Sequence, residues 1–537
     1  MHRSRALFIT GCVLGLLALH SGCGGSPPAT KKPAETPATG DRTPGTQAEP
    51  PELAPQEAPD ALLAVAVAAH PVVQLRGLAE LVEAVQPGAG AAMEVGTFVE
   101  QLTSDFGGLP ASAFDLEKPL YLLMLHEQAS PMVLVAAIAD REALTGALGE
   151  GAAMRVQRGY AAIGAPDALE VVAGYALTRL REEPLPPALT VVLRFEQLMK
   201  RYAGEIISGL RMLPAAAPDA RTQKLLEVYA SMLEAIMQQI KVMRFEVEPS
   251  AAGLTMHIAV DALPDTTLSA FARAQTPSDF ALTREVATSD DDFFMGGRLD
   301  YSAIPSLPEE TWTLLLAATV DEASATDAVR AHMKRWFGLM GREIAMGGRF
   351  DDKERTSLRM QVQVDNEGEA RALLTEWLDL IKRYPAAFKY RKPRVQTARV
   401  QGVQVHTTTT EFAGTPEEQQ LMESFYGPKL ISAVAVASGR LSMTIGQNAT
   451  RQMREQLARK PATEDHPAVL DAKTRRESMV IHVDLAGVMS RVLGKSMPAG
   501  TPPGVTMGLG FSGDTAAWRI TVPTPQILGT MAVAQSP

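Results

Sequence analysis

Short segments in which apolar and polar residues alternate recur between residues 61 and 537, and they predict β-strands that bury one face. In five places such a strand ends in an aspartate and a helical pattern begins at once. These aspartates are Asp140, Asp261, Asp321, Asp365 and Asp484. An aspartate at this position accepts hydrogen bonds from the free amides of the first helical turn and faces the positive end of the helix dipole. The pattern therefore predicts helix N-caps rather than a row of catalytic carboxylates.

Two segments of the first half of the chain resemble two segments of the second half. RGYAAIGAPDALEVV (158–172) resembles RLSMTIGQNATRQM (440–453), and the hairpin-like 242–260 resembles 507–522. Hairpins with one apolar face indicate antiparallel strands packed on helices. We therefore predict an α+β fold of duplicated units, mainly of antiparallel sheet, in residues 61–280 and 281–537.

Two longer stretches predict a helical hairpin, because apolar residues recur in each at helical spacing. The first stripe consists of Phe195, Leu198, Met199, Tyr202, Ile206 and Leu210. The second consists of Leu225, Tyr229, Met232, Leu233, Ile236, Met237 and Ile240. Both stripes are typical of a protein core. Their methionines leave open a second interpretation, an adaptable surface for varied apolar ligands.

The N-terminus carries a short basic start, an apolar run over residues 6–19 and then Ser21-Gly22-Cys23. This layout is typical of a secretory signal and resembles the lipobox of bacterial lipoproteins, in which the cysteine becomes the lipidated first residue. We predict a signal peptide in residues 1–22 and lipidation of Cys23. Cys12 also ends a lipobox-like sequence, but too few apolar residues precede it. A signal cleaved elsewhere and an uncleaved anchor remain alternatives.

Residues 23–60 join the predicted lipid to the rest of the chain. After the cysteine they are rich in Pro, Ala, Thr and Glu without apolar periodicity, which predicts a disordered tether. At about 3.1 Å per residue, such a tether reaches roughly 100 Å from a membrane. Gly24 stands where an aspartate would favour retention in the inner membrane, so we expect the outer membrane of the cell envelope.

Composition narrows the function classes. Of 537 residues 46% are hydrophobic but only 5% aromatic, so the core must depend on aliphatic residues and methionine. The formal net charge is −10, and loss of the signal peptide with Arg3 and Arg5 lowers it by two more. Such an acidic chain is a poor candidate for nucleic-acid binding. With Cys23 lipidated, no disulfide and no cysteine metal site is expected. We predict no cofactor.

The motifs that suggest catalysis or nucleotide binding fail on their context. Gly508-Leu-Gly510-Phe-Ser-Gly513 matches a dinucleotide fingerprint, but a strand pattern follows it instead of a helix. Gly487 and Gly494 before Lys495-Ser496 are too far apart for a phosphate loop. The histidines are scattered singly, and a pairing of His482 with Asp484 lacks a nucleophile. Residues 290–292, three aspartates, are typical of a solvated linker.

One basic stretch stands out in this acidic chain. Residues 382–394 contain six basic and three aromatic side chains, and the candidate contact residues are Lys389, Arg391, Lys392 and Arg394. Basic groups beside aromatics suit anionic lipid headgroups or an acidic polymer. The alternative is an ordinary solvated helix end and loop.

With its lipobox-like start, tether and repeated strand–Asp–helix units, the chain resembles the uncharacterised two-repeat lipoproteins of bacteria with large, GC-rich genomes. The resemblance implies placement in the cell envelope and no particular activity. We expect a non-enzymatic, membrane-tethered binding or scaffold protein, with an envelope protein or a lipid as partner. The alternatives are a periplasmic carrier of lipid or another hydrophobic ligand, and an enzyme whose site is assembled from distant residues.

Overall fold

A computed structural model describes most of the chain from Leu53 onward. The described residues are 53–535 without 89, 91–94, 127–130, 213–214, 216–219, 289–290, 303–311, 313–315, 317–322, 352–354, 389, 460–464 and 493–502. The predicted signal peptide, Cys23 and most of the predicted tether therefore lie outside the described residues.

The described residues form an α+β fold with one extended antiparallel sheet, which confirms the predicted fold class. The strands are β1 (Leu62–Ala68), β2 (Leu120–Leu125), β3 (Met132–Ala137), β4 (Ala153–Gln157), β5 (Tyr160–Gly164), β6 (Leu189–Leu193), β7 (Ile240–Ser250), β8 (Gly253–Ala262), β9 (Phe293–Arg298), β10 (Met340–Asp351), β11 (Arg355–Val364), β12 (Tyr390–Val400), β13 (Val403–Phe412), β14 (Leu430–Ala437), β15 (Arg440–Ile445), β16 (Met479–Val483), β17 (Val505–Ser512) and β18 (Thr515–Pro523).

Helices connect most of the strands. They are α1 (Pro71–Val85), α2 (Val95–Leu102), α3 (Arg141–Ala147), α4 (Pro166–Ala176), α5 (Arg179–Glu182), α6 (Phe195–Met212), α7 (Ala220–Met237), α8 (Thr267–Ala274), α9 (Ala281–Val286), α10 (Ala323–Leu339), α11 (Glu367–Arg383), α12 (Pro416–Tyr426), α13 (Ala449–Ala458), α14 (Pro467–Thr474), α15 (Leu485–Val492) and α16 (Thr524–Gln535). The predicted helical hairpin is thus present as α6 and α7.

The strand pairings place the same order of strands on either side of the sheet's centre. From one edge to the centre the order is β4-β5-β3-β2-β1-β6-β7-β8. From the other side it is β14-β15-β11-β10-β9-β16-β17-β18, with the hairpin β12–β13 added outside β14. Each strand of the first half has a counterpart at the same place in the second half.

The two halves meet where β8 pairs with β18, and this seam is close to two-fold symmetric. His257 lies directly opposite Arg519, 262 positions further along the chain (519 − 257). The same shift turns the pair Met256–Ile520 into Trp518–Ile258, which is also an observed pair. The pairing therefore maps onto itself, with the two-fold axis at His257 and Arg519. Gly253 allows the close approach, because a Cβ there would lie 2.4 Å from the Val522 carbonyl oxygen.

Away from the seam, helices cover both faces of the sheet. In the first half Leu123, Val133 and Val135 pack with α4 on one face, while Leu134 and Ile163 pack with α3 on the other. In the second half α11 covers one face around Val364 and Val436, and α13 covers the other around Ala433 and Ala435. Burial of these aliphatic side chains is the main stabilising contribution to both outer regions.

The predicted N-caps are confirmed at two junctions and wrong at two. Asp140 accepts the amides of Glu142 and Ala143, and Asp484 accepts the amide of Gly487 at 3.0 Å. Asp261 instead lies within β8, because the strand continues past it. The prediction for Asp365 is wrong by one residue, because its neighbour Asn366 caps α11. Asp321 lies outside the described residues.

The acidic run at residues 290–292 is not a solvated linker. Asp291 is buried and forms an ion pair with Arg359, although burial still raises the pKa of its carboxyl. Asp292 is buried as well and accepts the amide hydrogen of Phe350. Both carboxylates hold β9 and its neighbours together, a role that only their long-range partners reveal. Asp290 lies outside the described residues.

Candidate apolar binding face

The four strands around the seam share an alternation that gives the sheet one apolar face. Its side chains align in two rows across β6, β7, β8, β18, β17 and β16, and we call them the central apolar face. The first row is Val191, Phe245, Ile258, Trp518, Leu509 and Met479. The second row is Leu189, Val247, Met256, Ile520, Met507 and Ile481. Six strands spaced by about 4.8 Å make each row about 24 Å long.

The central apolar face is not sealed by a helical layer. Eleven of its side chains are half-buried, and Trp518 is 39% exposed. In the outer sheet, by contrast, Leu123 and Val133 are 0% exposed. Aliphatic and aromatic side chains on a sheet normally lie against another layer, because their transfer from water is what stabilises the fold. An apolar face left partly open is typical of a binding surface.

Helices border this face along one side. The next row of the sheet includes Met243, Val260 and Phe511. Phe195 and Met199 of α6 pack over Met243 and Val260. Phe271 of α8 meets the Phe511 ring edge-on, with centroids 5.8 Å apart. The two helices therefore form a bank beside the open rows.

The face has the same two-fold symmetry as the seam. The shift of 262 positions turns Phe245 into Met507 and Val247 into Leu509. The first row is thereby exchanged with the second. Both halves of the chain contribute equally to the face, so neither half alone could form it.

The opposite face of the same strands is polar and carries a buried ion pair. Arg519, 5% exposed, donates to both carboxylate oxygens of Glu477 at 2.8 and 3.0 Å, and it also contacts Asp471 at 2.8 Å. Gly508 makes room for this pair, because a Cβ there would lie 2.1 Å from a Glu477 carboxylate oxygen. The glycines of the G-x-G-x-x-G match thus lie in strand β17 and its turn, as predicted, and they serve packing.

His482 belongs to an aromatic cluster on this polar side. Its ring stacks on Phe294 at 5.2 Å and lies 4.6 Å from the His466 ring. Burial, with His466 as a smaller cause, lowers the pKa of His482 to about 4. Asp484 is used by its cap and by Gln526, whose amide donates to it at 2.8 Å. The His482–Asp484 pair considered from the sequence is therefore part of the packing.

The predicted basic patch lies on β12, an edge strand, and the structure separates its components. Arg391 lies opposite Glu411 and Arg394 opposite Thr409, so a bulge places both arginines on one face. Tyr390 points to the other face, where it lies opposite Phe412. Aromatic and basic groups therefore do not share one surface.

The charged members of the patch are exposed. Lys392, at the bulge with a φ of 51°, contacts Glu411 at 3.4 Å. Arg391 and Arg394 form no ion pair with any described residue, and Lys389 lies outside the described part. Charges along an edge strand also oppose unwanted pairing with another sheet, which accounts for their position without a ligand. Polyanion or membrane contact through these residues stays a prediction.

A second apolar surface lies on α7, where the expectation that both helical stripes are core is wrong. Tyr229, Leu233 and Ile236 are 53%, 43% and 39% exposed. Their spacing of four and three residues places them on one helix face. Ala230 and Met237, on the neighbouring face, are covered. A groove of about 440 Å³ between the helices is closed on one side by the ion pair of Arg211 with Glu234 at 3.0 Å.

No protein-family model and no curated protein matches the chain. Among solved structures, crystal form I of TP0453 aligns over 49% of this chain and 99% of its own length, with 9% identity and a TM-score of 0.23. Crystal form IV of TP0453 aligns over 49% of this chain and 97% of its own, with 8% identity and a TM-score of 0.24. At these TM-scores the likeness carries no argument about fold or function.

Two further observations concern the described residues only. None of their helices combines the length and the apolar character that a bilayer span requires. No group of three or more His, Cys, Asp or Glu side chains among them is arranged to hold a metal ion. The chemistry that the described surface offers is therefore apolar contact, at the central face and on α7.

Proposed function

We propose that this chain is a membrane-tethered lipoprotein of the bacterial cell envelope that binds an apolar ligand non-enzymatically on its central apolar face. The observation that carries the proposal is the open double row of apolar side chains across the seam. The lipobox-like sequence at Cys23 and the predicted tether support the tethered placement. Retention in the outer membrane is part of the same proposal and rests on Gly24.

The shape of the face favours an elongated ligand. Its rows are about 24 Å long and about 7 Å apart, since alternate residues of a strand are separated by twice about 3.4 Å. One leaflet of a bilayer is about 15 Å of hydrocarbon, so an extended acyl chain fits along a row. The bank formed by α6 and α8 would limit where such a chain can lie. A lipid acyl chain is therefore the ligand class that we propose.

Trp518 provides a direct test, because it is the tryptophan on the face. A nitroxide-labelled stearic acid that binds there quenches Trp518 fluorescence in a saturable manner. Trp518→Phe should abolish the quenching, while Trp312, Trp336 and Trp377 continue to fluoresce. Residual quenching equal to that of the unmodified protein would contradict the proposal.

A matched pair of variants on β8 separates the two faces of the sheet. Met256→Lys places a charge on the apolar face and should weaken stearate binding at least tenfold, whereas Thr255→Lys alters the polar face and should leave it unchanged. Neighbouring residues of a strand point to opposite faces, so the two variants differ chiefly in direction. Native mass spectrometry of the purified protein should show a co-purifying lipid that Met256→Lys lacks. Mass spectrometry of the N-terminus tests acylation of Cys23.

A further inference from the structure

We propose that the exposed stripe of α7, formed by Tyr229, Leu233 and Ile236, lies on a lipid bilayer. This inference is independent of the ligand on the central apolar face. It concerns a different element, which projects from the sheet between β6 and β7. The stripe is the outward face of a helix that is already anchored by its inner face, so it needs no rearrangement to meet a membrane surface.

The size of the stripe argues against a protein partner held by these residues alone. Three large side chains, each about half exposed, present roughly 300 Å² if a large side chain has about 200 Å². A stable protein interface needs about 800 Å² on each partner. A bilayer makes no such demand, because the apolar face of an interfacial helix enters the headgroup boundary and an existing anchor holds it nearby.

The charge of the hairpin fits a membrane surface better than the rest of the chain does. Residues 195–237 contain five basic and five acidic residues, so they are neutral in a chain of net charge −10. The remainder therefore carries the whole negative charge and is repelled by anionic headgroups. The tyrosine of the stripe suits the boundary between headgroups and hydrocarbon, since its ring is apolar and its hydroxyl polar.

The chain outside the described residues enters the fold beside this hairpin. Pro59 and Asp60 lie against its base: Arg194 donates to the Pro59 carbonyl oxygen, and Gln197 donates to the Asp60 carboxylate at 3.4 Å. The predicted tether that precedes them leads back to Cys23. A lipid at Cys23 would therefore draw the base of the hairpin toward the membrane, and a second weak contact makes such anchoring stable.

Vesicle binding by the unlipidated chain from residue 24 onward isolates the contribution of the hairpin. With phosphatidylcholine vesicles, with or without phosphatidylglycerol, the chain should co-sediment and should do so in high salt. The triple variant Tyr229→Ser, Leu233→Ser, Ile236→Ser should bind at least tenfold more weakly. The control, Glu227→Ser, Ser231→Ala, Gln238→Ser, changes exposed residues on the opposite face of α7 and should bind normally. Equal binding by both triple variants, or no binding by the unmodified chain, would refute the inference.

A label keeps the inference testable if the triple variant folds poorly. The chain from residue 24 contains no cysteine, so Ile236→Cys accepts a single environment-sensitive fluorophore. Its emission should shift to the blue on addition of phosphatidylcholine vesicles, whereas the same label at Ser231→Cys should not respond. Equal responses at both positions would overturn the proposed orientation. Met256→Lys should still bind vesicles, so failure of the central-face proposal is distinguishable from failure of this one.

Discussion

The two halves of the sheet have the same strand order but differ in what is inserted between the strands. The first half carries the long hairpin α6–α7 between β6 and β7, and the second half carries the basic hairpin β12–β13 at its outer edge. The shared order sets the seam and its two-fold symmetric apolar face. The insertions give each half a surface that the other lacks. The common framework thus builds one joint face, while the insertions determine how the halves differ.

The largest expected difference between the halves concerns the two residues on the two-fold axis. Arg519→Leu removes one partner of a buried ion pair and leaves Glu477 buried without a counter-charge, which should cost about 3–5 kcal/mol of unfolding free energy. His257→Leu changes its symmetry mate, which holds no buried carboxylate, and should cost less than about 1 kcal/mol. Urea denaturation of both variants measures the two costs. Equal losses would mean that the axis is as symmetric in energy as in geometry.

A smaller difference should appear as the pH falls. His482 is the fourth residue of β16, and the fourth residue of β6 is Val192. The folded pKa of His482, about 4, lies below the unfolded value of about 6.5, so the unfolded chain binds more protons between these values. Stability is therefore lost as pH falls from about 6.5 to about 4, by up to about 3 kcal/mol, and the loss ends below that window.

The variant His482→Val makes this strand resemble its counterpart in the first half. The difference in unfolding free energy between the original protein and the variant should shrink as the pH is lowered through this window. Thermal unfolding at several pH values measures it. A difference that stays constant with pH would show that His482 does not contribute to acid sensitivity. His466 lies against the same ring, and burial lowers its pKa as well, so a residual slope in the variant is expected.

The smallest effect is expected from the basic edge of the second half. Charge reversal of Arg391, Lys392 and Arg394 should weaken binding of the unlipidated chain to phosphatidylglycerol-containing vesicles by less than about threefold, because solvent and salt screen exposed charges. Binding to phosphatidylcholine alone should not change. A loss as large as that of the α7 triple variant would transfer the main membrane contact from the first half to the second.

Several features could be predicted from the sequence because they depend on local periodicity. Strand alternation gave the α+β class, and the matching segments at 242–260 and 507–522 are indeed the two hairpins that meet at the seam. Asp140 and Asp484 were recognisable as caps, because a cap acts within three residues. The predictions for Asp261 and Asp365 failed because the exact end of a strand depends on its neighbours in the sheet.

The candidate sites could be predicted only in part. Alternation identified apolar positions such as Met256 and Trp518, but it could not show that no helix covers them. The stripe on α7 had the spacing of a core helix, and only its position at the end of a projecting hairpin leaves Tyr229 exposed. The basic stretch was visible in the sequence, whereas the bulge that separates its arginines from Tyr390 depends on pairing with β13.

The sequence by itself determined the class of fold, the internal repetition, the acidic charge and the lipobox-like start at Cys23, because each follows from composition or from neighbours along the chain. The tertiary structure alone decided which strands meet, which apolar faces remain open and which charges are buried. The physical reason is that burial depends on what packs against a side chain, and at the seam His257 and Arg519 are brought together from opposite halves of the chain.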